Sequence, residues 1–260
     1  MSDAAKPKVA VHKFSSCDGC QLALLNLGEG LVALSQLVDI VHFAEAGPVD
    51  EEQCVDIALV EGSISTPEDH ERIQRIREQS GYLISIGACA TSGGVQALRN
   101  MADAEAWVGA IYPKPEYISL LDSSTAVADQ VKVDLELWGC PVNSGQVVGA
   151  LRDLLSGVKP RVDVQPLCME CKRRGVICTI VAHNQPCMGP VTRAGCGALC
   201  PGLGRACYGC YGPSEQVNAA SLAQHFGQFG MSQQDIRQRF GLINSNAAAF
   251  KRAADGLNNE

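Results

Sequence analysis

Cysteine is concentrated in one part of this chain, and that concentration constrains the fold more than any other feature. Eight of the 13 cysteines fall within the 43 residues 168–210, which include the run GCGALCPGLGRACYGC. This stretch keeps no sustained period of two or 3.6, so neither a strand nor a helix accounts for it. Because it also has too little apolar surface to fold alone, something bound must organise it.

Four chemistries could use such thiols: disulfides, zinc, iron–sulfur clusters and redox-active thiols. Disulfides fit poorly, because cysteine makes up only about 5% of the 260 residues and its count is odd. The N-terminal MSDAAKPKVAV shows no export signal, and no apolar run is long enough to cross a bilayer. We therefore expect a cytoplasmic chain without a membrane partner, whose thiols stay reduced unless a metal binds them. The net charge of −7 argues against a nucleic-acid partner.

Residues 1–160 are predicted to form a flavodoxin-like α/β domain. Short apolar runs alternate there with stretches of helical character, which is typical of a parallel sheet covered by helices. The predicted strands are KVAVHKF (8–14), VDIVHF (38–43), VDIALVEG (55–62), YLISIG (82–87) and VDLELWG (133–139).

Two of the connecting helices carry clear boundary signals. Thr66 and Asp69 have the spacing of a capping box, and Gly81 is predicted to end that helix before the fourth strand. A second helix is predicted to begin after Asn143 and to end at Gly157.

The cysteines of this first half fall at strand ends. Cys17 and Cys20 follow the first predicted strand, Cys89 follows the fourth, and Cys140 follows the fifth. The carboxyl ends of parallel strands share one edge, which is where open α/β sheets bind ligands, so we expect these four thiols to converge. Cys54 precedes its strand and should lie at the opposite edge, which leaves it out of the set.

Twelve thiols then remain as three sets of four, and either zinc or iron–sulfur clusters could fill such sites. Single cysteines are scattered between glycines instead of forming paired C-x-x-C arms, and this spacing favours clusters over zinc, with redox-active thiols as a third alternative. Residues 161–213 are predicted to be an irregular metal-binding domain. Residues 214–260 return to helix-compatible sequence and are predicted to be a helical tail.

The ordered motifs of this chain resemble those of the small subunits of nickel–iron hydrogenases. More narrowly, the chain looks like the small, or delta, subunit of the cytoplasmic NAD(P)-linked hydrogenases, also called sulfhydrogenases. The resemblance covers nearly the whole chain, and its motifs are SSCDGC (15–20), VEGSI (60–64), GACATSGGV (87–95), WGCP (138–141) and the segment 167–213.

The resemblance implies three [4Fe–4S] clusters, with two of them in the iron–sulfur domain 161–213. The implied ligands are Cys17, Cys20, Cys89 and Cys140 for a proximal cluster, Cys196, Cys200, Cys207 and Cys210 for a medial cluster, and Cys168, Cys171, Cys178 and Cys187 for a distal cluster. Respiratory relatives often have histidine in place of Cys168 and lack Cys200, so both C-terminal sites are expected to be all-cysteine. An interleaved assignment of the eight C-terminal ligands stays open.

In this interpretation the chain has no catalytic residue of its own. It is expected to pass electrons between the nickel–iron site of a large subunit and flavin- and iron–sulfur-containing subunits that react with NAD(P). The alternatives are the small subunit of another cytoplasmic nickel–iron hydrogenase with a different acceptor, a stand-alone iron–sulfur carrier, and a zinc-stabilised scaffold.

Three further polar residues lie near the predicted ligands. His183 lies between Cys178 and Cys187, and we interpret it as a non-ligand because enough cysteines are present. Asp18 and Glu61 are predicted at the same sheet edge as the proximal site, where they could tune it or contact the large subunit. For Asp18, a solvated or helix-capping carboxylate is the simpler interpretation.

Overall fold

The computed structural model describes residues 5–256, and this part of the chain divides into two compact units. The first comprises the residues up to Leu137 together with Pro141–Pro160, and the second comprises Trp138–Cys140 and the residues from Arg161 onward. The predicted ranges 1–160 and 214–260 also include residues 1–4 and 257–260, which lie outside the described residues. Among the described residues, no helix has the length and apolar character needed to span a bilayer.

The first unit is built on a parallel sheet, as predicted. Its strand order is β2-β1-β3-β4-β5, and every neighbouring pair is parallel. This 2-1-3-4-5 order is the flavodoxin-like arrangement. The strands are β1 (Lys8–Lys13), β2 (Asp39–Phe43), β3 (Val55–Glu61), β4 (Ser80–Ile86) and β5 (Leu135–Leu137).

The sheet register brings the strand ends to one level. Lys13 pairs with Glu61, Glu61 pairs with Ile86, and Ile86 pairs with Leu137. The segments that leave β1, β3 and β4 therefore start at the same edge of the sheet. Strands β3 and β4 are almost entirely buried, because helices cover both faces of a sheet of this kind.

Six α-helices accompany the sheet in the described part of the first unit: α1 (Gly19–Leu25), α2 (Glu29–Leu37), α3 (Pro67–Glu78), α4 (Gly87–Ser92), α5 (Ala104–Ile111) and α6 (Ser144–Leu155). Short 3-10 helices also occur at Ala44–Ala46, Gly94–Met101, Pro115–Tyr117 and Val127–Asp129.

The predicted boundaries of α3 are confirmed at one end only. Thr66 and Asp69 form the capping box, since each side chain accepts a hydrogen bond from the backbone of the other. The helix ends at Glu78, and Gly81 lies inside β4, so its prediction as the helix end is wrong. A Cβ at Gly81 would lie 2.9 Å from the carbonyl oxygen of Asp56, so a close approach between strands is what requires the glycine.

Both ends of α6 agree with the sequence. The Asn143 side chain accepts hydrogen bonds from the N–H groups of Gly145 and Gln146, as an N-cap does. Gly157 has a φ of +68° and follows the last turn, where a left-handed residue commonly ends a helix.

The second unit has two parts that share one core. Short helices interrupt the cysteine-rich segment: α7 (Cys168–Arg173), α8 (Thr179–His183) and α9 (Leu199–Gly202). Longer helices form the tail: α10 (Ala219–Gln228), α11 (Gln233–Gly241) and α12 (Ala248–Asp255). Phe226, Phe240 and Phe250 from the tail are fully buried with Leu167 and Met188 from the cysteine-rich segment. The tail thus supplies apolar surface that the cysteine-rich segment lacks.

Candidate cluster-binding sites

Three of the four predicted proximal ligands lie at the carboxyl edge of the sheet in the first unit. Cys17 follows β1, Cys20 lies in the first turn of α1, and Cys89 lies in α4 directly after β4. Cys20 is buried, Cys89 is half-buried and Cys17 is exposed. Cys54 immediately precedes β3 and is exposed, so its predicted position at the other edge is confirmed.

Backbone N–H groups and a buried carboxylate surround Cys20. The N–H of Val142 donates to Cys20 Sγ over 3.4 Å. Glu61, at the end of β3, accepts a 3.2 Å hydrogen bond from the N–H of Cys20 and a 2.8 Å bond from Gln21 Nε2. Burial raises the pKa of Glu61, and these two donors partly oppose that shift. Glu61 therefore holds the first turn of α1, and with it Cys20, against the sheet.

Glycines give the proximal thiols room. A Cβ at Gly94, whose φ is +56°, would lie 2.6 Å from Cys89 Sγ. A Cβ at Gly19 would lie 3.4 Å from Cys17 Sγ. The first of these positions accepts no larger residue without displacing the thiol, which explains why a glycine stands beside the cysteine in the motif GACATSGGV.

Cys140 lies three residues beyond β5 along the chain, and its contacts place it in the second unit. There its backbone N–H hydrogen-bonds to the thiol of Cys210. The four predicted proximal ligands are thus three residues of the first unit and one residue of the second.

The structure brings the four predicted distal ligands together. Cys168 and Cys171 lie on α7, Cys178 precedes α8, and Cys187 follows that helix. Burial, together with the smaller effects of the nearby thiols of Cys171, Cys187 and Cys178, raises the pKa of the Cys168 thiol to about 11. A Cβ at Gly189 would lie 3.4 Å from Cys187 Sγ and 3.6 Å from Cys168 Sγ, so that glycine borders both sulfurs.

The predicted medial ligands also lie near one another. Burial raises the pKa of the Cys210 thiol to about 12, with contributions from Cys196, Cys140 and Cys200. The pKa of the Cys207 thiol is raised mainly by burial, and the neighbouring thiols of Cys187 and Cys210 add to the shift. Cys207 therefore lies next to one predicted ligand of each C-terminal set.

A hydrogen bond joins these two sets directly. The N–H of Cys207 donates to Cys187 Sγ over 3.2 Å, and the N–H of Gly209 donates to Cys207 Sγ over 3.3 Å. Such donors stabilise negative charge on sulfur and are a main means by which proteins tune iron–sulfur sites.

The chemistry of these donors suits iron–sulfur clusters. All 13 cysteines are free thiols, and those of Cys168, Cys171, Cys196, Cys207 and Cys210 have pKa values raised by burial. A buried thiol ionises readily only when a cation compensates the charge, which an iron–sulfur core does. Within residues 5–256, no three or more His, Cys, Asp or Glu side chains form a group that could hold a single metal ion.

The polar residues singled out by sequence have distinct surroundings. Asp18 has a φ of +63° and pairs with Lys13 Nζ over 2.8 Å, and its side chain makes no helix-capping bond. His183 is exposed at the end of α8. Sequence reasoning missed Glu170, whose carboxylate accepts hydrogen bonds from two backbone N–H groups of the Cys196 loop. Its position between two cysteines in CMEC is the only signal that could have found it.

Tail residues also hold the cysteine-rich segment. Arg239 donates from Nε and Nη2 to the carbonyl of Pro186, the residue before Cys187, over 3.1 and 2.7 Å. Asn244 Nδ2 donates to the carbonyl of Gly209 over 2.8 Å. These contacts fix backbone next to predicted ligands of both C-terminal sets.

Comparison with known proteins gives a consistent picture. Residues 17–154 match the family model described as NADH ubiquinone oxidoreductase, 20 Kd subunit. The chain is 37% identical to sulfhydrogenase 2 subunit delta of Pyrococcus furiosus, over 83% of this chain and 90% of that protein. It is 31% identical to a subunit of the F420-non-reducing hydrogenase vhu of Methanococcus voltae, over 93% of this chain and 95% of that protein.

A solved structure shows the same relationship. The crystal structure of an NAD+-reducing [NiFe]-hydrogenase in the H2-reduced state contains a chain with a TM-score of 0.55 and 26% identity, which covers 60% of this chain and 94% of that one. The chain therefore belongs to the NADH ubiquinone oxidoreductase 20 Kd subunit family and, within it, to the small subunits of nickel–iron hydrogenases, the iron–sulfur proteins of enzymes that act on H2.

Proposed function

We propose that this chain is the electron-transfer subunit of a nickel–iron hydrogenase and binds three [4Fe–4S] clusters. The observation that carries the proposal is the grouping of the C-terminal thiols, in which Cys168 lies near Cys171, Cys178 and Cys187. The ligand sets are Cys17, Cys20, Cys89 and Cys140 (proximal), Cys196, Cys200, Cys207 and Cys210 (medial), and Cys168, Cys171, Cys178 and Cys187 (distal).

When bound, each such cluster accepts and releases one electron, and the protein sets the potential at which it does so. Three features of this chain contribute to that task. The N–H groups of Val142, Cys207 and Gly209 donate to cysteine sulfur and stabilise its negative charge. Cys20, Cys187 and Cys207 are buried, which keeps water from their sulfurs. The hydrogen bond from Cys207 to Cys187 provides a short bonded route between the medial and distal sets.

The partners follow from the same relationship. We propose a large subunit that holds the nickel–iron site and, beyond the distal set, flavin- and iron–sulfur-containing subunits that react with NAD(P). Similarity to a sulfhydrogenase delta subunit and to a chain of an NAD+-reducing hydrogenase supports this acceptor. The similarity to an F420-non-reducing hydrogenase subunit over 93% of the chain supports a second candidate, a hydrogenase whose acceptor is not a pyridine nucleotide.

Anaerobic purification from the native source, followed by metal and sulfide analysis, tests the proposal. We expect about twelve iron and twelve sulfide per chain, no zinc, and a co-purifying large subunit. A value near eight iron would remove one cluster and a value near four would remove two, and a chain that purifies alone with its iron would support a stand-alone carrier. Hydrogen-dependent reduction of NAD+ or NADP+ by the complex would identify the acceptor class, whereas reduction of dyes alone would favour the second candidate.

A further inference from the structure

The carboxylate of Glu170 holds the loop that carries Cys196. Glu170 lies on α7 between the predicted distal ligands Cys168 and Cys171. Its Oε1 accepts the N–H of Gly195 and its Oε2 accepts the N–H of Ala198, each over 2.9 Å. The two donors flank Cys196, so one side chain of α7 is hydrogen-bonded to the backbone on both sides of a predicted medial ligand.

The loop needs these hydrogen bonds because three of its residues have positive φ angles. Gly195, Gly197 and Ala198 have φ values of +135°, +65° and +52°. A left-handed conformation is unfavourable for alanine, so Ala198 stays in it only where surrounding contacts hold it. The N–H of Ala198 donates to Glu170 Oε2, so the carboxylate contacts the strained residue itself.

Arg174, which directly follows α7, binds the same loop through its carbonyl groups. Its guanidinium donates to the carbonyls of Gly197 and Ala198, the latter over 3.3 Å. It also packs against Gly202 of α9, where a Cβ would lie 3.0 Å from the guanidinium. Glu170 binds N–H groups of the loop and Arg174 binds its carbonyls, so α7 fixes the segment 195–202 that contains both Cys196 and Cys200.

The charge of Glu170 acts on both C-terminal sets. Its two oxygens accept N–H groups on either side of Cys196, and Glu170 directly precedes Cys171 on α7, so its negative charge lies beside one predicted ligand of each set. Reduction adds one negative charge to a cluster, and a fixed anion nearby in a partly buried site opposes that addition.

We infer that Glu170 is a positioning residue that holds the medial ligand loop on the distal helix and, through its fixed charge, keeps the reduction potentials of both clusters low. The inference rests on the proposed binding of clusters by these cysteines. It gives this carboxylate a role that none of the cysteines can perform, because it joins the two sites without being a ligand of either.

Three variants of the anaerobically purified complex separate the two roles of Glu170. Glu170→Ala removes both hydrogen bonds to the loop and the negative charge. Glu170→Gln removes the charge and keeps one acceptor oxygen. Glu215→Gln is the control and removes one negative charge from an exposed position of the second unit. Iron is counted per chain, and EPR-monitored redox titration follows each cluster.

We expect iron retention to fall in the order wild type, Glu170→Gln, Glu170→Ala, with the medial cluster lost first. In Glu170→Gln, the retained medial cluster should show a reduced-to-oxidised ratio at least about threefold higher than wild type at the wild-type midpoint, with a smaller rise at the distal cluster. Glu215→Gln should match wild type in both measurements.

The inference is overturned if Glu170→Gln and Glu170→Ala keep wild-type iron and potentials, or if Glu215→Gln shifts the potentials equally. If Glu170→Ala fails to accumulate, the titration of Glu170→Gln decides alone. Failure of the proposed function is distinguishable, because it would appear in the wild-type complex as an iron content well below twelve per chain.

Discussion

The two units of this molecule hold their cysteines in different ways. In the first unit, cysteines follow strands of a regular sheet, and the sheet hydrogen bonds fix the strand ends before any side chain acts. In the second unit, the cysteines lie in short helices and irregular backbone, which single side chains such as Glu170, Arg239 and Asn244 hold in place. The sheet therefore positions the thiols of the first unit. Single side-chain hydrogen bonds and packing against the apolar tail position the thiols of the second unit.

Removal of the clusters should give the largest difference between the two units, because only the second should lose amide protection. We expect chelation of iron from the purified chain to abolish amide protection at Leu167 and Ala194, whose N–H groups bond to Thr192 and Gln165 across the cysteine-rich segment. Amides of β3 should stay protected, because the sheet needs no metal. Hydrogen exchange measured by mass spectrometry before and after chelation checks this. Equal loss of protection in β3 would show that the two units fold as one.

A core substitution in the tail should reach the cluster sites, whereas one in the sheet should not. Phe240 is 1% exposed, and its ring lies 5.7 Å from that of Phe250. Phe240→Ala should cost about 3–5 kcal/mol and lower the iron content, because the tail supports the ligand segment. Leu83→Ala in β4 is the matched control and should cost about 2–5 kcal/mol with C-terminal iron retained. Thermal unfolding and iron analysis give both values, and full iron retention in Phe240→Ala would contradict the supporting role of the tail.

Acid should weaken the first unit through His12. His12 is 4% exposed and stacks on His42 with ring centroids 4.7 Å apart. Burial, together with the smaller effects of the charges of His42 and Arg72, lowers the pKa of His12 to about 3. In the unfolded chain the imidazole of His12 titrates near pH 6.5, so below that pH it is protonated in the unfolded chain and neutral in the folded chain. The contribution of neutral His12 to the free energy of unfolding should therefore be fully present above pH 6.5. It should fall by about 1.4 kcal/mol per pH unit as the pH drops toward 3.

His12→Phe keeps an aromatic ring on His42 and removes the titration, so it serves as the reference for this effect. Denaturant unfolding of both proteins at pH 7, 6 and 5 gives the difference in slope. Parallel pH profiles would mean that the buried imidazole is not the group responsible.

The same contrast explains what the sequence could predict. Alternating apolar runs predicted all five strands, and a capping box predicted the start of α3, because these signals are local and periodic. The prediction for Gly81 is wrong because the role of this glycine depends on Asp56, 25 residues away in the chain. The hydrogen bonds from Gly195 and Ala198 to Glu170 span a similar distance along the chain and produce no periodic pattern in the sequence. Cysteine spacing indicated where thiols gather, but not which side chains hold them there.

The smallest effect is expected at Cys54, which tests whether the edge of the sheet decides which thiols bind iron. Cys54 is exposed just before β3, whereas Cys89 follows β4 at the carboxyl edge. Cys54→Ala should leave the iron content unchanged and alter the free energy of unfolding by no more than about 0.5 kcal/mol, as is usual for an exposed site. Cys89→Ser, its matched control, should lose about four irons because it removes a proposed proximal ligand. A loss of four irons from Cys54→Ala would show instead that a thiol at the amino edge is a ligand, and the placement of the proximal site by strand direction would then be wrong.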